Sequence, residues 1–237
     1  MSPNTEKSLH MHNPDIPIHG TVYGVLLNSQ AEWHSAEHAM HDAPYKAPPA
    51  APVLYIKTAN TWSAHAASIA IPAPAAEVEI GATLGAVMGA PNASGAPHVR
   101  GFVLLNDVSL PHSVAQQGFY RPPVKYKNCD GFLGIGAQLV SASDVPHPHA
   151  LHVEVRINGE LRQTVALADM RRQLPQLLAD VGEFMTLQAG DVLMLGLGVC
   201  ADTAQRPRAK SGDVVDIHVP ELPALGTLRN SFTQEAV

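Results

Sequence analysis

The sequence predicts a mainly β, α+β fold: a mixed sheet with few short helices. Three observations carry this. Runs of β-branched and aliphatic residues outnumber runs of helical periodicity, and the two are not regularly interleaved as a doubly wound fold requires. An alternating segment, Leu151, Val153, Val155 and Ile157, leads to Asn158-Gly159, the preferred pair of a tight hairpin turn, and returns through Leu161, Val165 and Leu167. One amphipathic helix stands out, with Leu174, Leu177, Leu178, Val181 and Met185 on a single face from about Leu174 to Phe184 and Pro175 in its first turn, where proline is tolerated.

The remaining elements follow in chain order. Residues 1–19 are polar and proline-punctuated and are read as a flexible tail. GTVYGVLLN, from Gly20 to Asn28, has the length and composition of a strand, and SQAEWHSAEHAMHDAP after it predicts a short helix or lid-like segment that stops before Pro44. Tyr45 to Pro52 is a proline-rich connector, and Val53 to Thr58 is a strand. Glu77 to Gly89 mixes strand formers with glycines, as in a strand that bends or bulges. Arg100 to Ser109 predicts a buried strand ending at Asn106-Asp107, where a rigid element sets a polar pair at a sheet edge or cavity. AGDVLMLGLG is a further strand, and SGDVVDIHVPELPALGTLRN closes the sheet. A single domain is expected over residues 20–230, with a short tail at 231–237.

Of the 237 residues, 46% are hydrophobic and 15% charged, enough apolar material for a real core. A net charge of −6 with no basic cluster excludes a nucleic-acid partner. No apolar run reaches the ~18 residues of a membrane span, and the start lacks a secretion-signal layout, so a cytoplasmic protein is expected. Cys129 and Cys200 are read as small buried or semi-buried thiols. Seven of the thirteen histidines fall in the first 65 residues without a zinc spacing, so no dedicated histidine metal site is expected.

Several of these pieces, in this order, resemble the fumarylacetoacetate hydrolase family: Lys57 after an aliphatic strand, GFVLLNDVS, FYRPPVKYKNCDGF, the NGE hairpin, LLADVGEFMTLQAGD and a late GTLRN. APYKAPP and FYRPPVKYKNCDGF point within it to the amino-terminal half of the decarboxylase/isomerases of 4-hydroxyphenylacetate catabolism. The resemblance implies a twisted mixed β-sheet roll and a decarboxylase/isomerase for an unsaturated 2-oxo-dicarboxylate. It also implies a divalent cation, Mg²⁺ or Mn²⁺, which a 2-oxo acid chelates through carboxylate and keto oxygens and which stabilises an enolate as a Lewis acid. By resemblance the metal ligands are Glu77, Glu79 and Asp107, since residues two apart on a strand share a face. Lys127 is the implied catalytic lysine and neutralises a substrate carboxylate. Arg121 and Lys57 are further substrate-binding candidates, and His34 with Glu37 resembles a proton-shuttling lid dyad.

Two strand registrations remain open. In one, Glu77 and Glu79 are the paired carboxylates; in the other, the aliphatic stretch ending at Gly89 places those positions on Gly81 and Thr83, which carry none. Leu197 stands where the family has a substrate-binding threonine. Two functional readings follow: a metal-dependent decarboxylase/isomerase, or a non-catalytic partner of a related catalytic chain, in a homodimer or heterodimer. An acylpyruvate hydrolase or oxaloacetate decarboxylase is a third.

Overall fold

The computed structural model describes residues 16–44, 46–92, 95, 97–111, 123–200 and 205–236. Among them the strands are β1 (Val22–Leu26), β2 (Val53–Lys57), β3 (Trp62–Ser63), β4 (Ser68–Ile71), β5 (Glu77–Glu79), β6 (Ala82–Met88), β7 (Val99–Asp107), β8 (Leu133–Ile135), β9 (Val140–Ser141), β10 (His152–Ile157), β11 (Glu160–Ala166), β12 (Val192–Met194), β13 (Arg208–Lys210), β14 (Val214–His218) and β15 (Thr227–Gln234). The helices are α1 (Gln30–Met40), α2 (Pro123–Lys127) and α3 (Leu174–Gly182), with several single 3-10 turns between elements. One mixed sheet runs β2-β1-β12-β6-β7-β8-β3, with β9 beside β7; a second runs β11-β10-β14-β15-β4; β13 and β5 form a separate ribbon. No helix among the described residues is long and apolar enough to cross a membrane.

Alternation along β6 and β7 decides what each face of the larger sheet meets. Ala82, Leu84, Ala86, Phe102 and Leu104 point into a core shared with Val153, Val155, Val215, Ile217, Leu228 and Phe232 of the second sheet. Each such side chain, fully buried, contributes roughly 1.5–3 kcal/mol if large and aliphatic or aromatic. Val87, Val103 and Leu105 point the other way and pack with Val22, Tyr55, Leu133 and Val192. With both faces covered, β6 and β7 are apolar almost throughout. Asn106 takes the inner face, where its amide donates to Asn230 at 3.2 Å. Gly134 makes room for that pair, because a Cβ there would lie 2.2 Å from Asn230 Oδ1.

The hairpin forms as the sequence predicts, with Asn158 (φ 52) and Gly159 (φ 84) both left-handed. α3 stops at Gly182, two residues short of Phe184. Three expectations need correction. The segment 231–237 is not all tail, because Ser231 to Gln234 continue β15 in parallel register with β4. Residues 16–19 do not all belong to a flexible tail either: Ile18 is buried and Ile16 packs against the same cluster. The run Glu77 to Gly89 is two strands in different sheets, parted at Ile80-Gly81, with a register shift at Val87/Met88.

Candidate functional site

Asp107 ends β7 on the face away from the two-sheet core, and three side chains converge on its carboxylate. β2 runs antiparallel to β1 and sets Tyr55 opposite Gly24, whose missing side chain leaves room for the ring: a Cβ there would fall 2.0 Å from the ring carbon Cζ. The Tyr55 hydroxyl donates to Asp107 Oδ2. Two residues on, and so on the same face, Lys57 sets its ammonium 2.9 Å from Asp107 Oδ1 while donating to the carbonyls of Val108 and Lys127. The Lys57–Asp107 contact is an ion pair rather than an aligned hydrogen bond, and Oδ1 keeps no hydrogen-bond donor of its own. Lys127, the last residue of α2, donates to Asp107 Oδ2 at 2.6 Å and lies 4.4 Å from the centre of the Tyr55 ring.

Burial and charge set the protonation states. Burial alone would raise the Asp107 carboxyl, but Lys127 and Lys57 override it and hold the group well below the usual carboxylate range. Burial pushes Lys127 down to about 8, with Asp107 resisting the shift. Lys57 is lowered for the same reason, and burial together with the Asp107 charge raises the Tyr55 phenol. The resting cluster therefore holds an ionised aspartate and a neutral phenol, with both lysines lowered by burial and held by the aspartate's charge.

A second tier lies against this cluster. Arg206 Nη2 is 3.2 Å from Glu32 Oε1, and Arg206 Nη1 is 3.8 Å from Glu79. Glu32 sits in the first turn of α1, three residues after the N-cap Ser29, and its other oxygen accepts from the Leu27 amide. The carboxylates of Glu32 and Asp107 outweigh burial and raise the Arg206 guanidinium further. Ser109 joins the Glu79 backbone in an isolated bridge. Among the described residues, Arg206 Nε and Ser109 Oγ are buried with no hydrogen-bond partner.

The sequence-derived candidates divide sharply. Asp107, Lys127 and Lys57 come together, as above. Glu77 and Glu79 do not join them as a ligand set: Glu77 pairs with Arg208 at 2.5 Å, and Glu79 lies 3.8 Å from both Arg206 and Arg208. The reason is register. The Asp107 amide donates to the Gly81 carbonyl and Ala82 faces Asn106, so Gly81 lies across from Asp107, with Thr83 across from Leu105 on one side and Glu79 across from Ser109 on the other. Thr83 instead donates to the Gly196 carbonyl at 2.7 Å, and Leu197 is buried with its methyl groups 3.2 Å from where a Gly81 Cβ would be. His34 and Glu37 are exposed on α1, which turns Glu32 inward instead. Arg121 lies outside the described residues. Tyr55, Glu32, Arg206 and Ser109 were missed; the Ser29-x-x-Glu32 capping spacing was the only local signal among them.

A divalent cation needs several oxygen ligands gathered around one point. Among the described residues no group of three His, Cys, Asp or Glu side chains could hold one. Asp107 already serves two lysines and a phenol, its neighbour across the ladder, Gly81, offers no carboxylate, and Glu79 is turned to Arg206 and Arg208. The described donor set does not fit the expected metal.

A sequence model described as the fumarylacetoacetate (FAA) hydrolase C-terminal domain matches residues 21–233. The 4-hydroxyphenylacetate degradation bifunctional isomerase/decarboxylase of Salmonella dublin is 35% identical over 211 residues, covering 87% of this chain and 46% of that protein. Its Escherichia coli counterpart is 37% identical over 182 residues, 75% of this chain and 40% of that one. The oxaloacetate tautomerase YisK of Bacillus subtilis is 33% identical over 137 residues, 57% of this chain and 44% of that protein. The chain thus spans about half the length of the curated relatives it matches. Among solved structures, the 5-carboxymethyl-2-hydroxymuconate delta-isomerase of Mycobacterium smegmatis superposes with a TM-score of 0.69 at 25% identity, covering 93% of this chain and 81% of that one.

Proposed function

This chain belongs to the fumarylacetoacetate hydrolase family, and on that premise we propose that it acts on an unsaturated 2-oxo-dicarboxylate of the 5-carboxymethyl-2-oxo-hex-3-ene-1,7-dioate type. The reaction is decarboxylation and double-bond isomerisation in homoprotocatechuate and 4-hydroxyphenylacetate breakdown, carried out in the cytoplasm. The observation that carries this reading is the buried Lys57–Asp107–Lys127–Tyr55 cluster, in a chain that aligns over most of its length with isomerase/decarboxylases of that pathway.

The chemistry follows from charge flow. As the carbon–carbon bond to the departing carboxylate breaks, its electron pair moves through the conjugated double bond onto the 2-oxo oxygen, and CO₂ leaves. An enolate forming there needs a nearby positive charge and then a proton. Lys127, poised at about 8, supplies both: its ammonium stabilises the oxygen and can protonate it, and the amine regains its proton from water. Lys57, locked on two carbonyls and Asp107, is a positioning residue for that arrangement. Tyr55 holds the other side of Asp107. The described residues form no cradle for Mg²⁺ or Mn²⁺.

A second reading has a specific observation behind it. Gly81, across from Asp107, and Thr83, two residues further along the same face, carry no carboxylate, which favours a chain that pairs with a related catalytic subunit. The test is turnover by the purified chain alone, followed as CO₂ release and decay of the conjugated 2-oxo-3-ene absorbance. Activity of the single chain supports the first reading. Activity that appears only when a related subunit is added supports the second.

A further inference from the structure

Of the four side chains that meet at Asp107, Lys127 alone is carried by no strand. Tyr55 and Lys57 belong to β2 and are set by its ladder with β1, and Asp107 is set by β7 between β6 and β8. Lys127 ends α2, a helix of five residues, too short to stand without tertiary support. Packing gives that helix little: Val124 is 68% exposed, Lys125 is exposed and Tyr126 only half-buried. A lysine stem is flexible, so the place of its ammonium depends on how the backbone behind it is held. The next residue holds it. Asn128 sends its side-chain amide across to β2, donating to the Ile56 carbonyl at 3.1 Å and to Thr58 Oγ1 at 3.0 Å. Asn60 answers from beyond β2: its amide donates to the Asn128 carbonyl at 3.1 Å and to Asp130 Oδ1 at 2.7 Å, and its own carbonyl accepts from the Gly131 amide at 3.0 Å. Thr58 closes the ring by donating to Asn60 Oδ1 at 2.5 Å. Ile56 and Thr58 flank Lys57, and Asn128 follows Lys127, so the ring joins the two segments whose lysines meet on Asp107. Inside it, Lys57 donates to the Lys127 carbonyl.

We propose that Asn128 is a positioning residue: together with Asn60 it clamps the end of α2 to β2 and so fixes where Lys127 meets Asp107. The inference rests on the reading of Lys127 as the acting group, and adds the device that holds it in place. These hydrogen bonds lie at the exposed rim, where water competes for the same donors and acceptors and each bond contributes little to folding. Turnover is more sensitive than folding to such a bond, because a misplacement of ~1 Å at a reacting group costs up to ~10²-fold in rate.

The experiment compares Asn128→Ala and Asn60→Ala with the wild type in the full chain, each alone and combined with Lys127→Met. Asn128→Ala should lower kcat by ~10-fold or more with a smaller change in KM. Asn60→Ala should act in the same direction, which keeps the test open if one variant folds poorly. With methionine at 127 neither substitution should lower kcat by more than ~2-fold, because the group they position is gone. Amide hydrogen exchange gives a readout independent of turnover: in Asn128→Ala it should quicken over residues 123–131 while the β6–β7 and β10–β14 ladders stay as protected as in the wild type. Wild-type kcat in both alanine variants, an equal loss with lysine or methionine at 127, or exchange that quickens nowhere or everywhere alike overturns the inference. A wild type without turnover, or a Lys127→Met chain with the kcat of the wild type, removes the proposed function instead, and the exchange pattern then decides the clamp by itself.

Discussion

Replacing Asp107 with Asn removes the carboxylate that Lys57 and Lys127 contact at 2.9 and 2.6 Å and leaves both ammonium groups buried without it. Truncating one member of a buried ion pair costs about 3–5 kcal/mol, and here a single substitution strands two partners. Each ammonium can shed part of the penalty by losing its proton, more readily Lys127, already lowered to about 8. The expected loss therefore stays near that range rather than doubling. For a chain of this size each kcal/mol lowers Tm by roughly 2–4 °C, which gives a drop of about 6–20 °C. Calorimetry at pH 7 measures it directly. The double variant Asp107→Asn with Lys127→Met should be less destabilised than the sum of its parts, because the second change removes one of the charges stranded by the first. A drop under about 2 °C, or strict additivity, would show that the cluster is not the coupled charge group described above.

Further expectations concern the same cluster. Tyr55→Phe removes a donor to a charged acceptor and should cost about 1.5–3 kcal/mol in denaturant unfolding, with no cavity to account for it. Gly24→Ala places a methyl group 2.0 Å from Tyr55 Cζ, so the ring must move off Asp107; a loss of about 1–3 kcal/mol is expected, and unchanged stability would mean that the ring is not confined there. Because Asp107 is held below the ordinary carboxylate range, its contribution to stability is complete above pH ~4 and drains as the pH falls further towards its folded value, so Asp107→Asn should narrow its deficit in acid. Lys127 titrates in the opposite sense. Its burial costs most below about 8 and is relieved as the pH rises from there to ~10.4, so the wild type should gain stability over Lys127→Met across that window, as unfolding at a series of pH values would reveal.

Local pattern made much of the fold legible. Asn158-Gly159 announces its hairpin because few residue pairs accept two left-handed conformations in succession, and α3 follows from a single apolar face. Short strands such as Trp62–Ser63 and Arg208–Lys210 carry no periodicity, and only pairing with a distant partner makes them strands. The candidate site divides the same way. Asp107 and Lys127 lie in distinctive local sequence, whereas alternation places Glu77, Glu79, Gly81 and Thr83 on one face without saying which of them meets Asp107; long-range register answers that in favour of Gly81. Tyr55 reads as an ordinary core aromatic until β1 supplies a glycine opposite it. Arg206 reads as one more surface cation until Glu32 of α1, 174 residues earlier, is seen to hold it.

The central claim is that the Asp107 cluster does the chemistry through Lys127. Lys127→Met keeps most of the aliphatic stem and removes the ammonium, so steady-state turnover of an unsaturated 2-oxo-dicarboxylate by this variant, its fold checked by melting, is the most direct measurement. The account predicts a fall in kcat of ~10²-fold or more, the usual contribution of a positioned acid or base. A kcat equal to that of the wild type would contradict it.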